Sequence, residues 1–316
     1  MKKIVVLKGG TSPEREVSLV SGTEIASALK NMGYRVIEID PADYPELTDL
    51  LTAIQNEQPL LVFNGLHGGS GENGELQAAL SLAGIKLTGS GFKASCFSMD
   101  KYISKLIAIA EGIPVPKYIL MREDLLEDYQ DTEDYSGFSH QLGLPIIVKP
   151  NDAGSSVGIS RVECLEDLKP AVQKALQYSQ SVLLEEYIPG RELTVTIIDS
   201  EAYPVVEIKP LEGWYDYTNK YTHGKTKYEA PAQIDDTVAK LLQLYALRLW
   251  KAFGLSGYAR IDFRYDDLKP YFLEVNTLPG MTSLSLTPMA AKAAGLSFQD
   301  LLKKIIEVTI TQGGVK

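Results

Sequence analysis

The chain predicts an α/β protein of more than one domain, from three observations. Its 316 residues exceed what one small core organises. Residues 4–39 read as a strand, a helix and a strand, the unit that builds a parallel sheet. A strand at 192–198 then opens a new sheet far from the first.

Composition narrows the function classes. Hydrophobic residues make up 45% and charged residues 23%, the balance of a water-soluble globular chain. The net charge of −10 argues against a nucleic-acid partner and against an anionic membrane surface. Cys96 and Cys164 are too few for a disulfide framework or a zinc site. The apolar run after Lys2-Lys3 stops at Lys8, so the start reads as a strand and not as a leader. No window is long enough to span a bilayer, and a cytoplasmic enzyme is expected.

Residues 4–7 form the first buried strand, followed by the turn Gly9-Gly10-Thr11-Ser12-Pro13-Glu14. Val17, Val20, Ile25 and Leu29 carry helical spacing through 16–31, and Gly33 ends that helix. Strand 35–39 runs into Asp40-Pro41. A second round reads strand 60–63, the glycine-rich loop 64–74, helix 75–83 and strand 85–87. That loop carries His67 and Glu72 at the C-terminal end of a strand, where parallel sheets bind ligands. A dinucleotide site using Asp40 as its ribose acid is disfavoured, because the first turn lacks the G-x-G-x-x-G spacing. Glu14 suits an ammonium ligand; its ordinary alternative is a first-turn acid favouring the helix dipole.

Beyond a boundary near 92, residues 98–111 read as one helix bearing Lys101 and Lys105, and 117–121 as a strand. The acidic stretch 124–141 reads as surface. Strand 144–149, the loop 150–158 and strand 159–162 form a hairpin whose glycines and serines can close over phosphates, with Lys149 assisting. A flexible hairpin tip is the competing reading of that loop. Helix 165–178 and strand 182–187 follow, then strands 192–198 and 205–208. Residues 211–230 lack a period and are dense in tyrosine and lysine, as a lid or binding loop would be. Helix 235–253 stops at Gly254, and helix 298–308 closes the chain.

The hairpin 258–276 is the centre of the reading. If Tyr265 faces Tyr271, then Asp262 faces Glu274 and Arg260 faces Asn276, all four on one sheet face. Opposed carboxylates would stand roughly 5 Å apart at Cβ and repel unless a cation lies between them. Two carboxylates and an amide oxygen, completed by nucleotide phosphates, suit Mg²⁺. The ordinary alternative pairs Asp262 with Arg260 or Arg264 and lets Asn276 start a turn.

GGTSPEREVSLVSG, LHGGSGENG, SMDKYISK, VKPNDAGSSVGIS, EEYIPGRELTV, YDYTNKY, ARIDF and EVNTLPGMTSLSL occur in this order and span essentially the whole chain. The set resembles the D-alanine–D-alanine ligases of the ATP-grasp superfamily. The resemblance implies an N-terminal parallel, Rossmann-like sheet and two α+β domains enclosing ATP, divided here at 1–92, 93–184 and 185–316. It implies ATP-dependent ligation of two D-alanines through an acyl phosphate, for peptidoglycan precursors, by a homodimer. The implied cofactors are ATP and two Mg²⁺ or Mn²⁺ ions, with a monovalent cation possible.

Carried over residue by residue, the resemblance gives Lys101, Lys149, Ser156 and Lys220 to the phosphates. It lays Glu185, Glu186, Tyr187 and Ile188 along the adenine and sets Glu192 on the ribose. Asp262, Glu274 and Asn276 become the metal ligands. Glu14 receives the first ammonium with His67 beside it, while Ser155 and Tyr221 tie the lid shut. Arg260 and the Gly280 N–H stabilise the tetrahedral intermediate, and Ser285 with Leu286 holds the second carboxylate. The Lys220-Tyr221 pair resembles the dipeptide-forming members. Relatives that make D-alanyl-D-lactate differ in this lid, so D-alanine–D-lactate or D-alanine–D-serine ligation is the alternative.

Overall fold

The structure, a computed structural model, describes residues 2–122, 135–154, 157–211, 224–282 and 285–312. Strand β1 (Lys3–Leu7) lies between β2 (Arg35–Ile39) and β3 (Leu61–Asn64), parallel to both. Ile4, Val5, Val6 and Leu7 are wholly buried, as a parallel strand covered on both faces requires. Helix α1 (Arg15–Asn31) makes the crossover. Two glycines set how closely it approaches. A Cβ on Gly22 would stand 2.3 Å from the Cβ of Lys8, and one on Gly65 would stand 2.7 Å from the Leu7 carbonyl oxygen. Only bare backbone lets the middle of α1 and the loop after β3 come this close to the end of β1.

Two sequence expectations change here. Helix α2 (Leu47–Asn56) occupies a stretch for which no element was expected; Leu50 and Ile54 are its buried i, i+4 pair. Residues 85–87 are not a strand and contribute a single parallel bridge, Val62 to Leu87. Helix α3 (Glu75–Leu82) follows the loop as expected.

The single helix expected from 98 is two, α4 (Phe92–Met99) and α5 (Lys101–Ala110). Asp100 divides them because its extended backbone breaks the first, while its carboxylate caps the second by accepting from the Ile103 N–H at 2.9 Å. The central sheet is antiparallel in the order β4 (Tyr118–Arg122), β7 (Ser181–Glu186), β5 (Ile146–Pro150), β6 (Ser160–Val162). Helices α6 (Ser136–Leu142) and α7 (Leu168–Leu176) join it around a core that includes Ile146, Val148, Val172 and Leu184.

The C-terminal sheet contains β8 (Arg191–Ile198), β9 (Glu201–Ala202), β10 (Val206–Pro210), β11 (Thr226–Glu229), β12 (Tyr258–Tyr265) and β13 (Pro270–Asn276). β11 falls inside the stretch expected to be irregular and pairs with β10, Ile208 opposite Tyr228. Helix α8 (Asp236–Phe253) packs Leu242, Leu249 and Trp250 against this sheet, in a core shared with Ala94 and Ala108 of α4 and α5. Helix α9 (Leu286–Ala293), for which no element was expected, and α10 (Phe298–Gln312) turn the other way. Their Leu286, Ala290 and Ile305 join Ile4, Val6 and Leu29 in one core. The first and last parts of the chain are therefore packed together.

Candidate active site

Strands β12 and β13 pair with Arg260 opposite Asn276 and Asp262 opposite Glu274, the register expected for the cleft. The expected pairing of Tyr265 with Tyr271 is corrected: Tyr265 meets Pro270, and a β-bulge at Leu273 takes up the extra residue. The physical reason is Phe272. With an unbroken register it would share a face with the acids; the bulge turns it into the core, where it is fully buried and packs edge-on to Phe263 at 6.3 Å between centroids.

On the cleft face Arg260 grips Asp262 with two bonds, Nε to Oδ1 at 2.8 Å and Nη2 to Oδ2 at 2.7 Å. Thr194 on the neighbouring strand also donates to Oδ1, at 2.6 Å. The ordinary ion pair weighed for Asp262 is thus formed, with Arg260. Asn276 Oδ1 accepts from the Leu278 N–H at 3.0 Å and so also starts the following turn.

The opposite wall is the central sheet. Lys149 and Glu185 are buried, with Lys149 Nζ 2.8 Å from Glu185 Oε1. Burial works against the Glu185 charge, but Lys105 and Lys149 outweigh it and hold the carboxyl below its ordinary range. An open cleft lies between the walls, lined by Lys149, Glu185, Glu186, Tyr187, Ile188, Glu192, Arg260, Asp262 and Glu274 among others. Arg264, weighed only as a partner for Asp262, and Arg161, which the sequence did not single out, both reach Tyr187, their guanidinium carbons 5.6 and 4.2 Å from the ring centroid. Arg264 also donates to the Ile188 carbonyl at 3.1 Å and lies 3.5 Å from Glu192. Burial pushes the Glu192 carboxyl up to about 7, Asp262 and Glu274 adding to the rise while Arg264 and Arg260 oppose it.

Lys101 stands at the start of α5. Its Nζ donates to the Ala153 carbonyl at 2.5 Å, holding the approach to the glycine-serine loop. Burial lowers its pKa, which Glu274 and Glu185 counter. Ser155, Ser156, Lys220 and Tyr221 lie outside the described residues.

A second group of expected residues gathers beside the first sheet. Glu14 is buried at the start of α1, and its side chain does not cap the helix. Its carboxylate instead lies against two bare glycines: a Cβ on Gly68 would stand 2.8 Å from Oε1, and one on Gly154 3.0 Å. Gly154 immediately precedes Ser155, so Glu14 lies against the approach to the glycine-serine loop. His67 Nδ1 lies 3.1 Å from the Leu278 carbonyl oxygen and Nε2 lies 2.9 Å from Ser21 Oγ. A carbonyl only accepts, so Nδ1 carries the proton, and in the neutral ring Nε2 accepts from Ser21. His67 thereby ties the first sheet's loop to the turn after β13. Asp40, weighed as a ribose acid, accepts from the Gly10 N–H at 2.9 Å and pairs with Arg15, closing the first turn on itself.

Ser285 Oγ accepts from the Thr282 N–H at 3.0 Å and lies 2.8 Å from Thr282 Oγ1. A Cβ on Gly280 would come within 2.7 Å of that oxygen, so the chain passes Ser285 only because position 280 is bare. The Leu286 side chain is in the core, and its backbone N–H stands in the first turn of α9, the part of that residue able to meet a ligand.

Comparison with known proteins accords with this geometry. The family model described as "D-ala D-ala ligase C-terminus" matches residues 107–307. The chain is 42% identical to D-alanine–D-alanine ligase of Gloeobacter violaceus over 96% of this chain and 98% of that one. It is 40% identical to D-alanine–D-alanine ligase B of Chromobacterium violaceum over 96% and 97%. Among solved structures it is similar to D-alanine–D-alanine ligase from Bacillus anthracis, with a TM-score of 0.86, 34% identity and 99% of each chain covered. The complex of that ligase with ATP gives 0.84 at 31% identity, again over 99% of each chain. VanG D-Ala:D-Ser ligase from Enterococcus faecalis gives 0.82 at 31% identity over 98% and 99%. The mixed α/β architecture is that of the ATP-grasp ligases, and the chain belongs to the D-alanine–D-alanine ligase family.

Proposed function

We propose that this protein joins two D-alanines to D-alanyl-D-alanine through D-alanyl phosphate at the expense of ATP, for peptidoglycan precursors. The observation that carries the reading is the placement of Asp262 opposite Glu274 on one wall of a cleft whose other wall presents Lys149. Phosphoryl transfer asks a protein for alignment and charge neutralisation more than for covalent chemistry, and this arrangement offers both signs.

The donor set fits Mg²⁺ or Mn²⁺, since Asp262, Glu274 and Asn276 are hard oxygen donors on one face. Among the described residues no three His, Cys, Asp or Glu side chains gather as a metal cluster. When bound, such ions neutralise charge on the transferring phosphoryl group. The residues act around that charge. Lys101 and Lys149 supply positive charge at the phosphates, the strand 185–188 lies along the base, and Glu192 takes the ribose. Glu14, aimed at the loop leading to Ser155, receives the ammonium of the first D-alanine by a charge-assisted bond. His67 holds the same pocket in one tautomer. Arg260 and the Gly280 N–H face the oxygen that gains charge when the second amine attacks; donors so placed are worth about 3–4 kcal/mol each. The Ser285 hydroxyl and the Leu286 N–H take the second carboxylate. By the family resemblance, Ser155, Ser156, Lys220 and Tyr221, which lie outside the described residues, belong to the loop and the lid of this reading.

The same reading includes a homodimer in the cytoplasm, a possible monovalent-cation requirement, and domains of 1–92, 93–184 and 185–316. Among the described residues no helix is long and apolar enough to cross a membrane. The test is product analysis by mass spectrometry with ATP, Mg²⁺, D-alanine and competing D-serine or D-lactate. D-alanyl-D-alanine with equimolar ADP and phosphate supports the proposal. ATP left intact with every D-amino acid defeats it, and a mixed product in preference to the dipeptide moves the chain to the alternative ligation.

A further inference from the structure

Lys105 entered the sequence reading only as a residue of the helix expected at 98–111. Its side chain is wholly buried, and Nζ lies 2.9 Å from Glu185 Oε1, the oxygen that Lys149 approaches at 2.8 Å. Both contacts are buried ion pairs, and Coulomb attraction is strong where little water screens it. The three groups come from α5, β5 and β7, and β5 pairs with β7 so that Ile147 stands opposite Glu185. Lys149 and Glu185 line the cleft; Lys105 reaches Glu185 from beneath, its Nζ 6.0 Å from the Tyr118 ring centroid.

One carboxylate between two ammonium groups leaves a net charge of +1. Remove Lys105, and Glu185 cancels Lys149. A buried charged group is expensive: desolvation lowers Lys105 to about 8, with Glu185 opposing. A second cation at that depth, away from the ligand space, makes sense as a partner that occupies Glu185.

We propose that Lys105 is a positioning residue for the nucleotide: by engaging Glu185 from behind, it leaves Lys149 a net positive charge toward the cleft and fixes the carboxylate along the base. The proposal rests on the nucleotide reading of the cleft. ADP titration calorimetry and steady-state kinetics on the full chain test it. Lys105→Met raises the KM for ATP and the Kd for ADP by about tenfold, while kcat and the KM for D-alanine stay within about twofold. On the Glu185→Gln background, where no carboxylate is left to cancel Lys149, Lys105→Met changes the ADP Kd by less than about twofold. Equal losses on both backgrounds overturn the proposal, as does an unchanged ATP KM in the single variant. A fall in kcat together with a rise in the D-alanine KM as well as the ATP KM also overturns it, because a packing defect spreads across all three. If the Met variant does not fold, Lys105→Gln replaces it, keeping a donor toward Glu185 without the charge. An unmodified chain that binds no ADP overturns the nucleotide reading itself, an outcome distinct from a variant that binds as well as the parent.

Discussion

The two walls of the cleft are built in different ways. The C-terminal wall is local: Arg260, Asp262, Glu274 and Asn276 belong to one hairpin, and register alone puts them on one face. The central wall is assembled from afar, with Lys105, Lys149 and Glu185 brought together by a helix and two strands. A local wall is as secure as its register, because a slip of one residue sends every side chain to the other face. An assembled wall depends on charge balance, because each member was desolvated to reach its place. The first should fail by loss of chemistry and the second by loss of affinity.

That contrast can be broken at several points. Glu274→Ala is the hardest blow to the local wall. It should lower turnover by about 10³-fold or more, since several kcal/mol of charge stabilisation depend on the ion it is proposed to hold. Its melting temperature should stay near that of the parent chain, and unchanged turnover would defeat the metal assignment. Phe272→Ala attacks the register instead. Emptying a fully buried site against Phe263 should cost about 3–5 kcal/mol in denaturant unfolding. A loss under about 1 kcal/mol would mean that the bulge does not exist to bury this ring.

Glu192, on β8 in the C-terminal wall, gives a pH test. Its carboxyl is raised from 4.5 to about 7, first by burial. A group protonated more readily in the folded state contributes stability that is complete below about 4.5 and is lost as pH rises through about 7. Glu192→Gln should therefore be more stable than the parent at pH 8, by about 3 kcal/mol, with the gain gone near pH 4.5. A gain that does not change with pH would refute the linkage. The smallest expected effect is at His67. Ser21→Ala removes the hydroxyl facing Nε2 and should cost about 1 kcal/mol, read as a roughly fivefold fall in kcat/KM for D-alanine with ATP saturation unchanged.

Legibility followed the same division. Asp262 and Glu274 could be set opposite one another from hairpin spacing because the period of a strand is two. Only the pairing near the turn failed, where core packing of Phe272 outweighed the simplest ladder. Helix α2 is legible in Leu47, Leu50, Leu51 and Ile54, which stand at helical spacing. Strand β11 was not legible, because Thr226–Glu229 is polar and becomes a strand by adding to the edge at β10. Lys105 stood in plain view within SMDKYISK, yet nothing local tells a buried lysine from an exposed one.

By itself the sequence determined the alternating elements of the first sheet, the face shared by Arg260, Asp262, Glu274 and Asn276, and the ligase family they resemble. These depend on neighbours a few residues apart or across one turn, where periodicity and covalent geometry leave little choice. Only the tertiary structure decided that Glu14 meets Gly154, that His67 reaches Leu278, and that Lys105 and Lys149 share one oxygen of Glu185. Those contacts join segments remote in the chain, and which charges lose their water is settled by how the three sheets pack.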